Sequence, residues 1–266
     1  MTHHLWADKT ERCRPGMSVH HQTDGPIRPS LISNSTIERP QMPLKKDKTV
    51  SESEKVDGRN RIVNSLKAFR QAVQDYRQQF AEWPDFIMDK HAPMLPADAL
   101  LNVQVYPNRR LLMHDLPKKA TVAELGTEHG NWAYQVLKDN PPQEMHLFDL
   151  SFDLLREEVE THPAIRLHEG DSADNLCKMP NAYFDWIYID GDHTYRGVSR
   201  DLAQAVKKVR DDGWLVFNDY TLWSWKGIMA YGVVAAVNEL ILSGWEMRAI
   251  GLNPTGYWEA AVQRKG

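Results

Sequence analysis

The stretch Thr121–Gly130, TVAELGTEHG, decides the fold class. An apolar run of Val122, Ala123 and Leu125 breaks at Gly126 into a turn, which feeds a helix-like segment, NWAYQVLKD. Strand, glycine turn and helix form the grammar of a nucleotide-binding crevice, where a missing Cβ lets backbone approach a ligand. The next strand-like run, EMHLFD, ends on Asp149, about twenty residues on, where a carboxylate suits ribose hydroxyls. The turn is not GxGxxG. Glu124 stands before Gly126, and Gly130 closes the turn. A negative charge there repels a pyrophosphate and attracts an ammonium. The ligand implied is a nucleoside carrying a cationic amino-acid tail, a description that S-adenosylmethionine meets.

Composition narrows the class. The chain has 266 residues, 42% hydrophobic, enough for one α/β core and an appendage. A net charge of −4 argues against a nucleic-acid partner, which calls for a basic face. Cys13 and Cys177 lie far apart with no CxxC, which excludes a cysteine-based zinc site and makes a disulfide improbable. No apolar run approaches the roughly 18 residues of a membrane span, and no signal-peptide core stands at the start. The expectation is a cytoplasmic protein without a membrane partner.

The chain changes character twice. Residues 1–55 are polar and lack an apolar period, as a disordered or extended tail does. The pairs His3-His4 and His20-His21 have no ordered scaffold around them and read as solvated. Within 56–118, Ile62, Leu66, Phe69, Val73, Tyr76, Phe80 and Trp83 alternate steps of four and three, a narrow helical seam stopped by Pro84. It reads first as a helix docked on its own domain, with a homodimer seam through 62–83 or a lid as the alternatives. The rest of this appendage, rich in Pro93, Pro96, Pro107 and Pro117, reads as irregular and capping.

From 119 to 266, strand and helix signals alternate. The strand runs are TVAEL, EMHLFDL, IRLHEGD, FDWIYID, GWLVFND, WEMRAIGL and YWEAAVQRK. Between them, RGVSRDLAQAVKKVRDDG reads as a helix closed by Gly213, and GIMAYGVVAAVNELILSG as another. Alternation of this kind gives a mainly parallel sheet with helices on both faces. The turn NPTG joins the last two runs, so the final strand should be antiparallel.

The motifs ELGTEHGNWA, IDGDHTYRGVSRDL and GWLVFNDY, in this order, resemble a class I S-adenosylmethionine-dependent methyltransferase. Within that class the chain is similar to methyltransferase family 24, which includes sugar and macrolide O-methyltransferases. The likeness covers about 119–266 and departs from the common pattern at Glu128, where many relatives carry Gly. It implies a Rossmann-like α/β fold with a seven-stranded sheet. It also implies that Glu124, Gly126, Thr127 and Gly130 line the methionine end of the cofactor, that Asp149 holds the ribose, and that Asp171 and Ser172 lie near the adenine. The same Asp171-Ser172 pair suits a helix N-cap.

Asp190 and His193 follow the fourth strand run, and Asn218 and Asp219 follow the fifth. Ligands of open α/β sheets bind outside the carboxyl ends of strands, so these groups should share one crevice. In related O-methyltransferases the matching positions bind a divalent metal and the histidine acts as base. The resemblance thus implies His193 as general base, with Asp190, and Mg²⁺ at Asp190, Asn218 and Asp219. Asn218 replaces a carboxylate frequent in relatives, and one negative charge fewer weakens such a site. The expected substrate is a small molecule bearing a hydroxyl, a sugar, phenol or natural product, beside the aromatic loop Tyr220–Trp225. Two other readings remain: a cofactor-binding scaffold without catalysis, and an NAD-dependent oxidoreductase, which Glu124 and the missing GxGxxG oppose. Asn140-Pro141-Pro142-Gln143 lies before the second strand and Cys177 outside the fourth, so neither supports base methylation of DNA.

Overall fold

A computed structural model describes residues 51–84 and 87–266. The histidine pairs, Cys13 and most of the polar tail lie outside these residues. The chain divides into two compact units, one carrying residues 83–266 and one whose described part is 51–82.

The described part of the smaller unit holds one helix, α1 (Glu52–Phe80). Ser51 accepts from the Glu54 N–H while the Glu54 side chain accepts from the Ser51 N–H, a capping box that satisfies two otherwise orphaned donors. The helix ends on Ala81 in the left-handed region, before Pro84 is reached. None of its residues is buried, and Ile62 and Leu66 stand 63% and 60% exposed, against the expectation of a buried seam.

In the larger unit the chain runs β1 (Gln104–Tyr106), α2 (Arg109–Asp115), β2 (Thr121–Leu125), α3 (Asn131–Asp139), β3 (Glu144–Asp149), α4 (Glu157–Glu160) and β4 (Ile165–Glu169). It continues through α5 (Ser172–Cys177), β5 (Phe184–Ile189), α6 (Tyr195–Lys208), β6 (Val209–Phe217), β7 (Trp223–Ser224), β8 (Met229–Ala230), α7 (Val233–Leu242), β9 (Trp245–Gly251) and β10 (Glu259–Arg264). The main sheet has eight strands in the order β1-β9-β10-β6-β5-β2-β3-β4. Only β10 runs antiparallel to its neighbours, between β9 and β6. This is the mainly parallel, doubly covered sheet expected, with β1 added as a parallel edge strand beside β9.

Alternating side chains of each strand feed two cores. Ala123, Leu125, Ile187 and Ile189 pack with Leu176 of α5, Leu202 of α6 and Val237 of α7. Val122, Trp186 and Tyr188 pack on the other face with Met113 of α2, Trp132 of α3 and Val159 of α4. Glu124 lies two residues from Val122 in the same strand, so it shares the face of Tyr188 and Trp132.

Several local expectations need correction. Residues 97–115 are not irregular: a 3-10 turn, β1 and α2 occupy them, and Asn108 caps α2 by accepting from the Leu111 N–H. Helix α6 ends at Lys208, and Gly213 sits inside β6, where a Cβ would lie 2.6 Å from Val209 Cγ2. The segment 227–244 is helical only from Val233; its start supplies β8, which pairs with β7 in a small hairpin. Cys177 is not a free thiol. Among the described residues no helix is long and apolar enough to cross a membrane.

Candidate active site

The crevice lies over the carboxyl ends of β2, β5 and β6. The glycines of the first turn are required by the protein itself. A Cβ on Gly126, at φ +86°, would lie 2.3 Å from the backbone oxygen of Asp190. One on Gly130, at φ +70°, would lie 2.5 Å from Leu155 Cδ1. The turn after β2 is thereby pressed onto the loop after β5, and Glu124 and Asp190 end in one crevice. Glu128 adopts φ +49°, the left-handed region that favours glycine.

Asp149 braces this turn. Its Oδ2 accepts from the N–H groups of Thr127 and Glu128, both at 2.7 Å, and its Oδ1 accepts from Leu150 N–H at 2.7 Å. Each carboxylate oxygen accepts about two bonds. Oδ1 therefore keeps capacity for a ligand hydroxyl, and Oδ2 does not.

Glu124 is 1% exposed, and its Oε2 has no partner among the described residues. Burial first, then the charges of Asp190 and Asp149, push its carboxyl well above the usual range. An unpaired buried carboxyl oxygen is costly, and an incoming ammonium is the complementary group. Thr127 Oγ1 is likewise buried and, apart from its approach to the Glu124 carboxyl, has no partner among the described residues. These two orphans, on the strand and turn expected to meet the methionine tail, make the residues present suitable for S-adenosylmethionine.

At the third strand end, Asp171 caps α5 by accepting from Asp174 N–H at 3.0 Å and is gripped by both terminal nitrogens of Arg200. Ser172 donates to Asp201 Oδ1 at 2.6 Å. Burial raises Asp201 to about 6. The capping role of this pair is present.

The polar cluster at the ends of β5 and β6 is tight. His193 Nε2 lies 3.4 Å from Asp190 Oδ1 and 3.7 Å from Asp219 Oδ2. Its ring stacks on Tyr231 at 4.6 Å between centroids. Burial depresses the imidazolium, but Asp190, Asp219 and Asp192 outweigh it and hold His193 above its ordinary value. Burial likewise raises Asp219, against the attraction of His193.

The metal set does not form. Asn218 donates from Nδ2 to Asp190 Oδ1 at 2.6 Å and accepts from Tyr188 O–H at 3.1 Å. A donor nitrogen therefore occupies the Asp190 oxygen that a cation would need, and His193 fills the gap towards Asp219. Among the described residues no group of three or more His, Cys, Asp or Glu could hold a metal ion. The expected Mg²⁺ site at Asp190, Asn218 and Asp219 is not supported.

Sequence reasoning missed the underside of this cluster. Tyr188, fully buried, lies 3.4 Å from Glu259 Oε1. Glu259 opens β10, is 1% exposed, and is raised by burial to about 8. Arg109 Nη1 lies 3.6 Å from Glu259 Oε1. A glutamate inside the apolar run YWEAAV was the available signal for Glu259. Arg109 had none.

Residues 123–220 match the family 24 model described as a methyltransferase domain. Over that stretch the chain is similar to the methyltransferase domains of this family. A curated relative, an uncharacterised protein of Acanthamoeba polyphaga mimivirus, is 32% identical over 91 residues, 32% of this chain. The match spans 39% of that relative's length. Among solved structures, a ribosomal protein L11 methylase from Lactobacillus delbrueckii subsp. bulgaricus is similar at TM-score 0.44 and 18% identity, covering 59% of this chain and 77% of that one. A TehB-like SAM-dependent methyltransferase from Corynebacterium glutamicum gives TM-score 0.44 and 19% identity, covering 60% and 88%.

Proposed function

We propose that this chain is an S-adenosylmethionine-dependent methyltransferase acting on a hydroxyl of a small molecule. The observation that carries the reading is His193, set between Asp190 and Asp219 at two adjacent strand ends, in the crevice that holds the orphaned carboxyl of Glu124. The cofactor, when bound, supplies a methyl group on a sulfonium. Glu124 meets its ammonium, Asp149 Oδ1 takes a ribose hydroxyl, and Asp171 and Ser172 border the adenine.

The acceptor's O–CH₃ bond forms as the S–CH₃ bond breaks, and the hydroxyl proton passes to the protein. His193 and Asp219 take it as one coupled unit. Their 3.7 Å gap is too short for an oxygen bonded to both, which needs about 5 Å, so the carboxylate or the ring must yield as the acceptor enters. Asp190 orients the imidazole and stabilises its charged form. Proximity and orientation supply much of the rate in such a displacement, on the order of 7–11 kcal/mol.

An aromatic wall supports a small organic acceptor. Tyr231 lies on His193, and Tyr220 N–H donates to the Trp258 carbonyl at 2.6 Å. Trp225 and Trp258 expose 57% and 41% of their surface. Self-association through the exposed 62–83 seam accompanies this reading, with 1–55 and 56–118 as appendages to a 119–266 catalytic domain. The rival reading, a scaffold that binds cofactor without turnover, keeps Glu124 but has no use for the His193 cluster. Titration with S-adenosylhomocysteine, followed by methyl transfer to a panel of glycosides, phenols and hydroxylated metabolites, tests it. Binding with transfer supports the enzyme, binding without transfer leaves the scaffold, and absence of binding removes both.

A further inference from the structure

Arg109 is the first residue of α2, outside the matched stretch 123–220. Its guanidinium carbon lies 4.7 Å from the centre of the Trp132 ring, and Trp132 in turn packs on Tyr188 at 5.0 Å. The side chain thus leans on the face of the sheet that carries Glu124. Its charge acts on Tyr188, Glu259 and Asp190, and it lowers the carboxyls of Glu124 and Asp219.

The ionisable groups of the crevice are unequal in sign. Glu124 and Asp149 come from β2 and β3, Asp190, Asp192 and His193 from the loop after β5, Asp219 from the end of β6, and Glu259 from β10. Against these stand Arg109 and Lys226, whose charges reach the cluster. Lys226 is drawn over the rings of Trp225 and Tyr257, on the hairpin side. Arg109 acts on Glu124.

Arg109 is also available. Its side chain is 39% exposed. Its nearest carboxyl, Glu259, is raised by burial to about 8 and keeps its proton at neutral pH, so the guanidinium lacks a full anionic partner there. A planar guanidinium presents parallel N–H donors that match a carboxylate.

We propose that Arg109 binds the α-carboxylate of the cofactor's methionine tail, so that Glu124 and Arg109 together read its zwitterion and reject a decarboxylated cofactor. The proposal rests on the S-adenosylmethionine reading above, and the experiment separates the two. Calorimetric titration compares S-adenosylhomocysteine with its decarboxylated analogue, 5′-deoxy-5′-(3-aminopropylthio)adenosine. Wild-type protein should prefer the carboxylated ligand by about 10- to 100-fold, the worth of a charge-assisted contact. Arg109→Gln, which keeps a stem against Trp132, should bind both ligands alike. Arg109→Lys should recover part of the preference. A thermal melt of each variant checks folding. Wild-type preference retained in Arg109→Gln overturns the proposal and leaves the cofactor reading intact. Failure of wild-type protein to bind S-adenosylhomocysteine overturns both.

Discussion

Asn218 donates its amide hydrogen to Asp190 Oδ1 at 2.6 Å, closing the corner between β5 and β6 on which a divalent cation would sit. The amide replaces a charge with a donor and makes the two strand ends self-sufficient. Methyl transfer and cofactor affinity should therefore be unchanged by EDTA and by added Mg²⁺. In Asn218→Asp, two carboxylates would face each other at that contact. The melting temperature should fall in this variant and recover in millimolar Mg²⁺. Loss of wild-type activity in EDTA, restored by Mg²⁺, would refute the corner as described.

Glu124 supplies a proton-linked prediction. Its carboxyl is held well above the usual range in the free protein by burial and by Asp190 and Asp149. An ammonium beside it favours the charged form, so ligand binding should expel a proton. Affinity for S-adenosylhomocysteine should rise with pH up to the free-state value of Glu124. Titrations at one pH in buffers of different ionisation enthalpy should report net proton release, and Glu124→Gln should abolish the component due to this residue. Equal heats across buffers in wild-type protein would contradict the assignment.

Much of this arrangement was legible in the sequence, for a physical reason. Strands buried on both faces must be apolar, so TVAEL, EMHLFD and FDWIYI stand out, and the polar residues that end them fall at the crevice. Asp190 and His193 were named as candidates in that way, and Glu124 from the glycine turn that follows it. Arg109 and Glu259 were not, because their contacts join segments far apart in the chain. Strand β1 has three residues, of which Tyr106 alone is buried, and proline surrounds it. The hairpin β7–β8 has two residues in each strand, too few for a period to show. At the α6–β6 junction the helix passes directly into a strand at Val209, so Gly213 was mistaken for a helix terminator.

Glu259 makes stability depend on pH. Its folded value, about 8, exceeds the ordinary 4.5. The folded state therefore holds a proton that the unfolded chain releases, and the associated stability is present below about 4.5 and lost as pH rises to about 8. Thermal melts should decline across that window. Glu259→Gln, an uncharged isostere, should flatten the decline and be the more stable protein at pH 9, by a margin on the order of 5 kcal/mol. Parallel wild-type and variant curves would show that Glu259 is already ionised in the folded protein.

His193 bears most directly on the central claim. Asp190 and Asp219 hold it above its ordinary value, so the neutral, proton-accepting form should grow in as pH rises above about 6.5. The decisive measurement is the rate of labelled methyl transfer from S-adenosylmethionine to the acceptor found by the panel, in wild-type protein and His193→Ala, across pH. The account predicts a wild-type rate that climbs with pH to a plateau. It also predicts a fall of about 10²–10⁴-fold in His193→Ala, with affinity for S-adenosylhomocysteine little changed. Wild-type rates in His193→Ala, or a rate that does not vary with pH, would contradict it.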